Sequence, residues 1–422
     1  MSNLNHKIGV IGLGYVGLPL AVSFSEITEV VGFDISKNRV NELNTGFDST
    51  LMLSKNKLKN KNITYTTNDE ELSTCNIYIV TVPTPIDDHK NPDLSYIISA
   101  TELIKKYLKK GDIFVLESTV YPGTTEEICV PILEKNGLLF NVDFFCGYSP
   151  ERINPGDASK EIGDIKKIVS GSNQETLNTL KTLYESIIHA GIHCTSSIKI
   201  AEAAKVIENT QRDINIALVN ELSKIFNILD INTHEVIDAA STKWNFSDYR
   251  PGLVGGHCIG VDPYYLTYKA QEAGYHPEMI LAGRRINDGM HEFVVEKIQK
   301  EIIKRKLSLK NLEILVLGIS FKENCNDTRN SRSIDLVKSL QKLNINIYHS
   351  EPYIDNLNIN GSSNVNYDNF KKLNKNFDVI VISVPHQYFI EDIDIIETKL
   401  KDKNSFIFDV KSSFKNKDFY SL

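Results

Sequence analysis

The segment "KIGVIGLGYVG" near the start of the chain constrains the fold more than any other feature of the sequence. Gly12, Gly14 and Gly17 follow an apolar run typical of a buried strand and precede the helix-forming run "LPLAVSF". Glycines in this place allow a tight turn, close approach of a pyrophosphate to backbone N–H groups, and close packing of a helix on a sheet. A second strand-like run, "VVGFD", ends in Asp34, twenty residues after Gly14. This order predicts a strand–helix–strand unit that binds a dinucleotide.

Asp34 also bears on the choice of dinucleotide. A carboxylate at the end of the second strand accepts hydrogen bonds from ribose hydroxyls and repels a 2′-phosphate, so it favours NAD over NADP. A turn-forming or helix-capping role before "ISKNRV" is the alternative, and it is compatible with the first.

Short apolar runs alternate with helical stretches across the first half of the chain. The candidate strands are "KIGVIGL", "VVGFDI", "IYIVTVP", "DIFVLEST", "FFCGYSP" and "KKIVSG". Continuous β-rich runs separated by helices predict a parallel sheet covered on both faces. We therefore assign residues 1–197 to an NAD-binding Rossmann domain.

The pattern changes at residue 198, where "IKIAEAAKVIENTQRDINIALVNELSKIFNIL" runs without proline or glycine and predicts a long helix. Strands return as "LEILVLGIS", "NIYHS", "FDVIVISVP" and "SFIFDV", with the helix "SRSIDLVKSLQKL" between the first two. The predicted class is α/β, with two doubly wound Rossmann-like domains joined by a long central helix and a helical region. The boundaries are 198–306 for the helical domain and 307–422 for the second α/β domain.

Composition narrows the possible partners. The formal net charge is −7 and the pI is about 5.9, which argues against a general nucleic-acid or anionic-membrane surface. The first apolar stretch is broken by glycines and too short for a membrane span, so we expect neither a signal peptide nor an anchor. The six cysteines form no C-x-x-C pair, so we expect no metal, no disulfide framework and a cytoplasmic location.

Lys205 and Asn209 form the second group of candidate residues. They stand four apart in "KVIEN" and project from one face of the predicted helix. A lysine ammonium beside an amide can stabilise a developing oxyanion. A solvated helix face is the alternative reading of the same spacing.

Cys258 is the candidate nucleophile. It lies among three glycines in "GGHCIGVDPYY", a density typical of backbone that turns tightly or lets a ligand come close. This setting favours a reactive thiol over a buried structural cysteine. The adjacent His257 is not a convincing base, because neighbouring residues of an extended segment point to opposite sides. A metal site at His257, Cys258 and Asp262 lacks the required ligand set.

Together these motifs resemble the UDP-glucose/GDP-mannose dehydrogenase family, the nucleotide-sugar 6-dehydrogenases. The matching stretches span nearly the whole chain: "GLGYVGLPLA", "TVPTP", "ESTVYPGTTE", "GYSPERINPGD", "AEAAKVIENTQRDINIALVNE", "GLVGGHCIGVDPYYL" and "GISFKENCNDTRNSRS". The resemblance implies an NAD-binding domain, a central helical dimerisation domain that carries the catalytic lysine and cysteine, a C-terminal domain that completes the UDP-sugar site, and a homodimer.

The resemblance also implies a reaction. Family members oxidise the C6 hydroxymethyl group of a sugar twice, with two NAD and one water. A cysteine thiolate traps the aldehyde as a thiohemiacetal, a second hydride transfer gives a thioester, and water releases the carboxylate. By motif match the thiolate is that of Cys258.

The remaining roles are likewise carried over by motif match. Lys205 and Asn209 stabilise oxyanions, and Asp262 assists proton transfer through water. Glu151 in "SPER" is the general base of thioester hydrolysis, and Thr119 in "STV" positions water.

The resemblance implies two sets of binding residues. The cofactor set is Gly12, Gly14, Tyr15, Val16, Gly17, Asp34, Arg39, Thr84, Thr119 and Arg329. The substrate set is Glu151, Arg152, Lys205, Asn209, Arg250, Gly255 and Lys322. We expect Lys322 and Arg329 to border the active site, because an acidic protein must neutralise a diphosphate with specific cations. Solvated loop charges are the alternative for these two residues.

Departures from the family pattern point to the substrate. The UDP-glucose and GDP-mannose branches have G-S-C and a lysine before the acid, whereas this chain has "GGHCIGVD" with Val261 there. The chain also has "RINPGD" where the UDP-glucose branch has a second acidic residue. Both features resemble the branch that acts on UDP-N-acetylhexosamines, UDP-GlcNAc or UDP-GalNAc, in capsule and O-antigen synthesis.

Several alternatives remain open at this point. UDP-glucose or UDP-ManNAc could be the substrate, and the C4 configuration of the sugar is not decided. A 3-hydroxyacid dehydrogenase of the 6-phosphogluconate type also pairs a dinucleotide domain with a K-x-x-x-N helix, but it needs neither Cys258 nor a second α/β domain. A catalytically silent NAD- or nucleotide-sensing module is the third class.

Overall fold

The computed structural model of the chain describes residues 6–50, 52–59, 62–87, 89–152, 161–256 and 258–422. The chain divides into two compact units, here called unit one and unit two. Unit one comprises the described residues of 1–208 and 264–275, and unit two comprises those of 209–263 and 276–422. The division into three domains at 197/198 and 306/307 stays a prediction.

Unit one is built on a sheet of strand order β3-β2-β1-β4-β5-β6-β7-β8. The strands are β1 Ile8–Ile11, β2 Val30–Phe33, β3 Ile63–Thr66, β4 Ile77–Val80, β5 Ile113–Leu116, β6 Phe145–Tyr148, β7 Lys167–Gly171 and β8 Ile192–Cys194. Neighbouring strands are parallel except β6 and β7, which pair antiparallel. The strand order reverses beside β1, which is the position where doubly wound sheets bind ligands at the carboxyl ends of their strands.

Side chains of the central strands of this sheet alternate between two hydrophobic cores. On β4, Ile77 and Ile79 pack into one core, and Tyr78 and Val80 pack into the other. The helices of unit one are α1 Gly17–Ser25, α2 Lys37–Thr45, α3 Lys55–Leu58, α4 Ser95–Lys105, α5 Val130–Leu133, α6 Gln174–Glu185 and the first part of α7 Ile198–Leu229. Both faces of the sheet are therefore buried, as the continuous apolar runs predict.

Helix α7 confirms the long helix predicted from the sequence. Its 32 residues include neither glycine nor proline. The Ser197 hydroxyl accepts a hydrogen bond from the N–H of Ile200 at the helix start. At its end Asp230 adopts a left-handed conformation with φ of 55°, and the next N–H bonds back to the carbonyl of Phe226. The boundary between the two compact units falls within α7: its residues up to Glu208 belong to unit one, and those from Asn209 onward belong to unit two.

Unit two contains a second sheet of strand order β11-β10-β9-β12-β13-β14. Its strands are β9 Glu313–Leu317, β10 Asn346–Ser350, β11 Ser363–Asn364, β12 Val379–Ile382, β13 Phe406–Asp409 and β14 Tyr420–Ser421, and all pairs are parallel. The later helices are α8 Thr233–Ser241, α9 Asp262–Glu272, α10 Glu278–Asp288, α11 Met290–Lys304, α12 Arg332–Gln341, α13 Tyr367–Phe370, α14 Gln387–Glu391 and α15 Ile393–Glu397. Most of α9 belongs to unit one.

The predicted α/β class with two Rossmann-like sheets is confirmed. The six strands predicted for the first sheet correspond to β1, β2, β4, β5, β6 and β7. The short strands β3, β8, β11 and β14 were not predicted, nor was the antiparallel direction of β7. Within the described ranges, no helix has both the length and the apolar character needed to cross a membrane.

Candidate active site

The glycine turn after β1 has the geometry of a dinucleotide fingerprint. Gly12 has a φ of 95°, which favours glycine, and its carbonyl accepts a hydrogen bond of 2.7 Å from the Thr81 hydroxyl. A Cβ on Gly17 would lie 1.9 Å from the Gly12 carbonyl oxygen and 2.3 Å from the Thr81 hydroxyl oxygen. Gly12 is therefore required by the backbone conformation of the turn, and Gly17 by the close packing of α1 on the sheet.

Gly14 differs from its two neighbours in the fingerprint. It is exposed, and a Cβ added there would meet no heavy atom within 4 Å. Its φ also lies outside the left-handed range. Nothing in the fold of unit one requires glycine at this position, so the space beside it is available to a ligand. A pyrophosphate that approaches the N-terminus of α1 fits this space.

Asp34 lies immediately after β2 and contacts the same turn. Its Oδ2 accepts a hydrogen bond of 2.9 Å from the N–H of Leu13, and its Oδ1 accepts one of 2.8 Å from the N–H of Ser36. An ionised carboxylate has about four acceptor positions, so two remain for ribose hydroxyls. The residues present therefore fit NAD. The turn-forming alternative for Asp34 is also realised, through its hydrogen bond from the N–H of Ser36, but the N-cap residue of α2 is Ser36 and not Asp34.

Arg39 is held within the protein beside this turn. Its Nε donates to the Leu13 carbonyl at 2.8 Å, and its Nη2 lies 2.8 Å from Asp48 Oδ1. Burial opposes ionisation of Asp48, but hydrogen bonds from Thr50 and Arg39 outweigh it and lower the pKa of Asp48. Arg39 thus stabilises the turn, and its contact with a cofactor stays a prediction.

The other predicted residues of the first sheet follow neighbouring strands. Thr84 lies in the segment after β4, Thr119 after β5, and Glu151 after β6. Since the carboxyl ends of parallel strands meet at one edge of a sheet, these three residues lie on the same edge as the glycine turn. Thr84 and Thr119 are half-buried, and Glu151 is buried. Tyr15 and Val16 are half-buried within the turn itself.

Glu202 anchors the segment that follows Thr119 to α7. Its carboxylate accepts hydrogen bonds from the N–H of Gly123 at 2.5 Å and from the N–H and hydroxyl of Thr125 at 2.9 and 2.7 Å. Glu202 is fully buried, and burial raises its pKa from 4.5 to about 7. One turn of π-helix, Thr125–Cys129, begins at this anchor.

Glu151, Arg152 and Lys205 all lie in unit one. The Glu151 Oε1 accepts a hydrogen bond of 2.6 Å from the N–H of Arg152. The Arg152 guanidinium pairs with Glu208, with Nη2 at 2.6 Å from Oε1, and donates to the Lys166 carbonyl at 2.8 Å. Lys205 is buried on α7. The predicted substrate contacts of these residues remain predictions.

Asn209, Cys258 and Asp262 are brought together in unit two. The Asn209 side-chain amide donates to Asp262 Oδ2 at 2.5 Å. Asp262 is the first residue of α9, and its N–H donates to the Cys258 carbonyl at 2.8 Å. Asn209 and Asp262 are buried, whereas Cys258 is half-buried. A partly accessible thiol therefore lies one tight turn before a buried carboxylate at a helix N-terminus, where negative charge is stabilised.

The glycines before Cys258 have a packing role. A Cβ on Gly255 would lie 2.5 Å from the Asn330 carbonyl oxygen, and a Cβ on Gly256 would lie 2.5 Å from the Phe321 ring. Gly256 also has a φ of 86° and donates its N–H to the Asn330 carbonyl at 3.1 Å. The cysteine segment is thus packed directly against "FKENCNDTRNSRS", which we predicted to border the active site.

Three predicted ligands of unit two have protein partners. The Lys322 ammonium lies 5.5 Å above the Phe321 ring. Arg329 pairs with Asp327, with Nη2 at 2.5 Å from Oδ2, and its side chain is 53% exposed. Arg250 is held at 2.6 Å by both Asp238 and Asp248. Binding of a cofactor or substrate by these arginines stays a prediction.

A buried pair supports the loop that carries Lys322. The Glu351 Oε2 accepts hydrogen bonds from the N–H groups of Ile319 and Ser320, and it lies 3.1 Å from His386 Nε2. The other nitrogen of His386 accepts a hydrogen bond of 2.9 Å from the N–H of Asn324. Burial opposes ionisation of Glu351, but the contact with His386 and the backbone donors lower its pKa.

Sequence reasoning missed the polar residues that hold the site in place, namely Lys167, Glu202, Glu208, Glu351 and His386. A signal existed only for Lys167, a charged residue that begins an otherwise apolar strand run. The "RINPGD" departure, at residues 152–157, falls outside the described residues from position 153 onward, and so does His257.

The fold and the fingerprint turn define a dinucleotide-binding protein of the Rossmann class. Comparison with known proteins gives the family. Residues 6–188 match the NAD binding domain of the UDP-glucose/GDP-mannose dehydrogenase family, residues 199–289 its central domain, and residues 315–416 its UDP binding domain. The chain belongs to the UDP-glucose/GDP-mannose dehydrogenase family, and it is an NAD-dependent UDP-sugar dehydrogenase.

Individual relatives carry more specific names. A UDP-N-acetyl-D-glucosamine 6-dehydrogenase of Pseudomonas aeruginosa is 57% identical over 82% of this chain and 83% of the relative. One of the same name from Salmonella typhi is 51% identical over 91% of this chain and 90% of the relative. Among solved structures, a UDP-D-ManNAc dehydrogenase of Pyrococcus horikoshii has a TM-score of 0.86 at 30% identity and covers 99% of both chains.

Proposed function

We propose that this protein oxidises the C6 hydroxymethyl group of a UDP-N-acetylhexosamine to a carboxylate in two steps, with Cys258 as the covalent nucleophile. The observation that carries the proposal is the hydrogen-bonded set in unit two, in which Asp262 links Asn209 to the backbone of the Cys258 segment. The names and identities of the two bacterial relatives support the sugar class.

The first step removes a hydride and a proton from the hydroxymethyl group. NAD, when bound, supplies the hydride acceptor. Asp34 and the N-terminus of α1 bind and orient it through ribose hydroxyls and pyrophosphate. Lys205 and Asn209 stabilise the negative charge that develops on the C6 oxygen as its proton leaves.

The second step passes through Cys258. Its thiolate adds to the aldehyde carbon and gives a thiohemiacetal, and a second hydride transfer converts this adduct to a thioester. Water then attacks the thioester carbon, with Thr119 orienting the water and Glu151 accepting its proton. Asp262 assists proton transfer through water at the Cys258 site.

The UDP moiety is the proposed ligand of Lys322, with Arg329 contacting nucleotide sugar or cofactor. The match of residues 315–416 to a UDP binding domain supports this assignment. The packing of the Lys322 segment against the Cys258 segment supports it as well. If Lys322→Ala and Arg329→Ala both leave every KM and kcat unchanged, the assignment is wrong.

The preferred sugar is UDP-GlcNAc or UDP-GalNAc, with UDP-ManNAc and UDP-glucose as the alternatives. Val261 stands where the UDP-glucose branch has a lysine, and its side chain is buried and apolar, so this chain lacks the positive charge of that lysine. Side-by-side measurement of kcat/KM for the four UDP-sugars decides among them. A higher kcat/KM with UDP-glucose than with either N-acetylhexosamine would exclude the proposed class.

A homodimer is proposed from an exposed apolar face on the second half of α7. Leu218, Ile225, Ile228 and Leu229 are 43–81% exposed, and Trp244 nearby in the chain is 92% exposed. Contiguous exposed apolar faces of this kind mark protein–protein interaction sites. We also propose a cytoplasmic location, since the six cysteines of the sequence form no C-x-x-C pair and no disulfide pattern.

Cys258→Ala, with Cys194→Ala as an exposed control thiol, tests the covalent step. The Cys258→Ala variant should lose acid formation by several orders of magnitude while it still binds NAD, and Cys194→Ala should behave as wild type. Cys258→Ser should accumulate a sugar ester visible by intact-protein mass spectrometry, because an alkoxide is a poorer leaving group. If the Cys258→Ala enzyme forms acid at a near wild-type rate, the proposed role of Cys258 is wrong.

A further inference from the structure

Lys167 is a buried cation that the proposed reaction does not use. It is the first residue of β7, and its side chain is only 4% exposed. Its ammonium lies 2.8 Å from Glu117 Oε2 and 3.6 Å from Glu151 Oε2, and it donates to the Pro150 carbonyl at 3.3 Å. The same ammonium thus contacts the segments that follow β5 and β6.

Lys167 contacts two carboxylates rather than one. Burying an ammonium costs several kcal/mol, and a single carboxylate compensates this cost only where the geometry is excellent and further hydrogen bonds are made. Here two carboxylates share one cation, and Glu117 also accepts a hydrogen bond from the buried Tyr184 hydroxyl. The second carboxylate is that of Glu151, the proposed base.

The charge states of Lys167 and Glu117 favour a stable electrostatic contact between Lys167 and Glu151. Burial alone would lower the pKa of Lys167, but Glu117 and Glu151 outweigh it and raise that pKa, so the side chain stays an ammonium ion. Burial raises the pKa of Glu117, which makes Glu117 by itself a poor permanent counter-ion. The Glu151 carboxylate, as the second anion close to Lys167, therefore helps to compensate the charge of the ammonium group.

We propose that Lys167 is the positioning residue of Glu151: its ammonium fixes the Glu151 carboxylate and the Pro150 carbonyl before it, so that the carboxylate faces the water that cleaves the thioester. The inference rests on the proposed role of Glu151. In that step the water oxygen bonds to C6, its proton goes to Glu151, and the C–S bond breaks with its electron pair returning to Cys258. Lys167 exchanges no atom in this step.

Lys167→Met tests the inference, because it keeps most of the unbranched side chain and removes the ammonium group with its charge. With saturating NAD and UDP-GlcNAc, we expect a burst near two NADH per active site, then a steady-state rate at least about tenfold below wild type. Intact-protein mass spectrometry should show the sugar adduct on Cys258. Each KM should fall together with kcat, so that kcat/KM stays within about twofold of wild type, because only the step after adduct formation is slowed and no binding contact is removed. Lys167→Arg should restore turnover in part.

Two controls separate the possible failures. Lys181→Met removes an exposed lysine, paired with Glu185 at 3.7 Å in the same unit, and should match wild type. Glu151→Gln should accumulate the same adduct as Lys167→Met.

If Glu151→Gln accumulates the adduct and Lys167→Met does not, the inference is wrong and the role of Glu151 stands. If neither does, the role of Glu151 is wrong and the inference falls with it. Should Lys167→Met not fold, Lys167→Gln, which can still donate to Pro150, gives the same comparison.

Discussion

Replacing Gly14 with alanine isolates cofactor binding from folding. A Cβ at Gly14 meets no protein atom within 4 Å, and the φ of this residue lies outside the left-handed range that favours glycine. The methyl group occupies only the space beside the turn that we assign to the pyrophosphate of NAD. Gly14→Ala should therefore weaken NAD binding while it leaves unit one folded.

The size of the effect follows from the steric argument. Forcing a methyl group into a filled contact costs about 1–3 kcal/mol, which corresponds to a Kd for NAD roughly 5- to 150-fold higher. The unfolded chain loses conformational freedom when glycine becomes alanine, so the stability should be unchanged or rise by about 0.4–1 kcal/mol. The affinity for UDP should not change, because the matched UDP binding domain comprises residues 315–416.

The assay is calorimetric titration with NAD and, separately, with UDP, together with thermal unfolding of each variant. Gly17→Ala is the matched control, because its Cβ would lie 1.9 Å from a backbone oxygen. That variant should lose stability as well as NAD affinity. Wild-type NAD affinity in Gly14→Ala would refute the reasoning, and so would a loss of stability as large as that of Gly17→Ala.

Three further predictions address the cofactor, a buried acid and the oligomer. Asp34→Ala should raise the Kd for NAD roughly 10- to 150-fold and reduce the preference of the enzyme for NAD over NADP. If the wild-type enzyme has a higher kcat/KM with NADP than with NAD, this prediction is wrong. Burial in the folded protein raises the pKa of Glu202 from 4.5 to about 7. The resulting contribution to the free energy of unfolding, about 3 kcal/mol, is fully present below pH 4.5 and is lost as the pH rises through 7. The unfolding free energy of Glu202→Gln should lack this pH dependence, and parallel pH profiles would contradict it. Ile228→Glu should dissociate the proposed dimer in sedimentation velocity, whereas Ile303→Glu, 73% exposed on α11, should not; a dimeric Ile228→Glu variant would reject the α7 face.

Much of the fold was predictable because strands that are buried on both faces appear in the sequence as continuous apolar runs. β4 and β9 read in this way, and each is buried along nearly its whole length. The short edge strands were not predictable. β11 is Ser-Asn and β8 is Ile-His-Cys, and neither has an apolar pattern that distinguishes it from a loop. The direction of β7 depends on its pairing with β6, and residue composition does not carry that information.

The candidate site was predictable where its residues follow a characteristic spacing in the sequence. Gly12, Gly17 and Asp34 fall at the spacing of a dinucleotide fingerprint, and the fold itself requires both glycines, Gly12 for its positive φ and Gly17 for the packing of α1. Contacts between distant segments could not be read in this way. Glu202 holds Thr125 across 77 positions of sequence, and such a pair is set by tertiary packing.

The stoichiometry of NADH release tests the central claim most directly. With limiting UDP-GlcNAc and excess NAD, the completed reaction should yield two NADH and one UDP-sugar carboxylate for each substrate molecule consumed, because the proposed mechanism has both oxidations at the Cys258 site. One NADH for each substrate, with an aldehyde or ketone as the product, would contradict the two-step oxidation and the role of Cys258 in it.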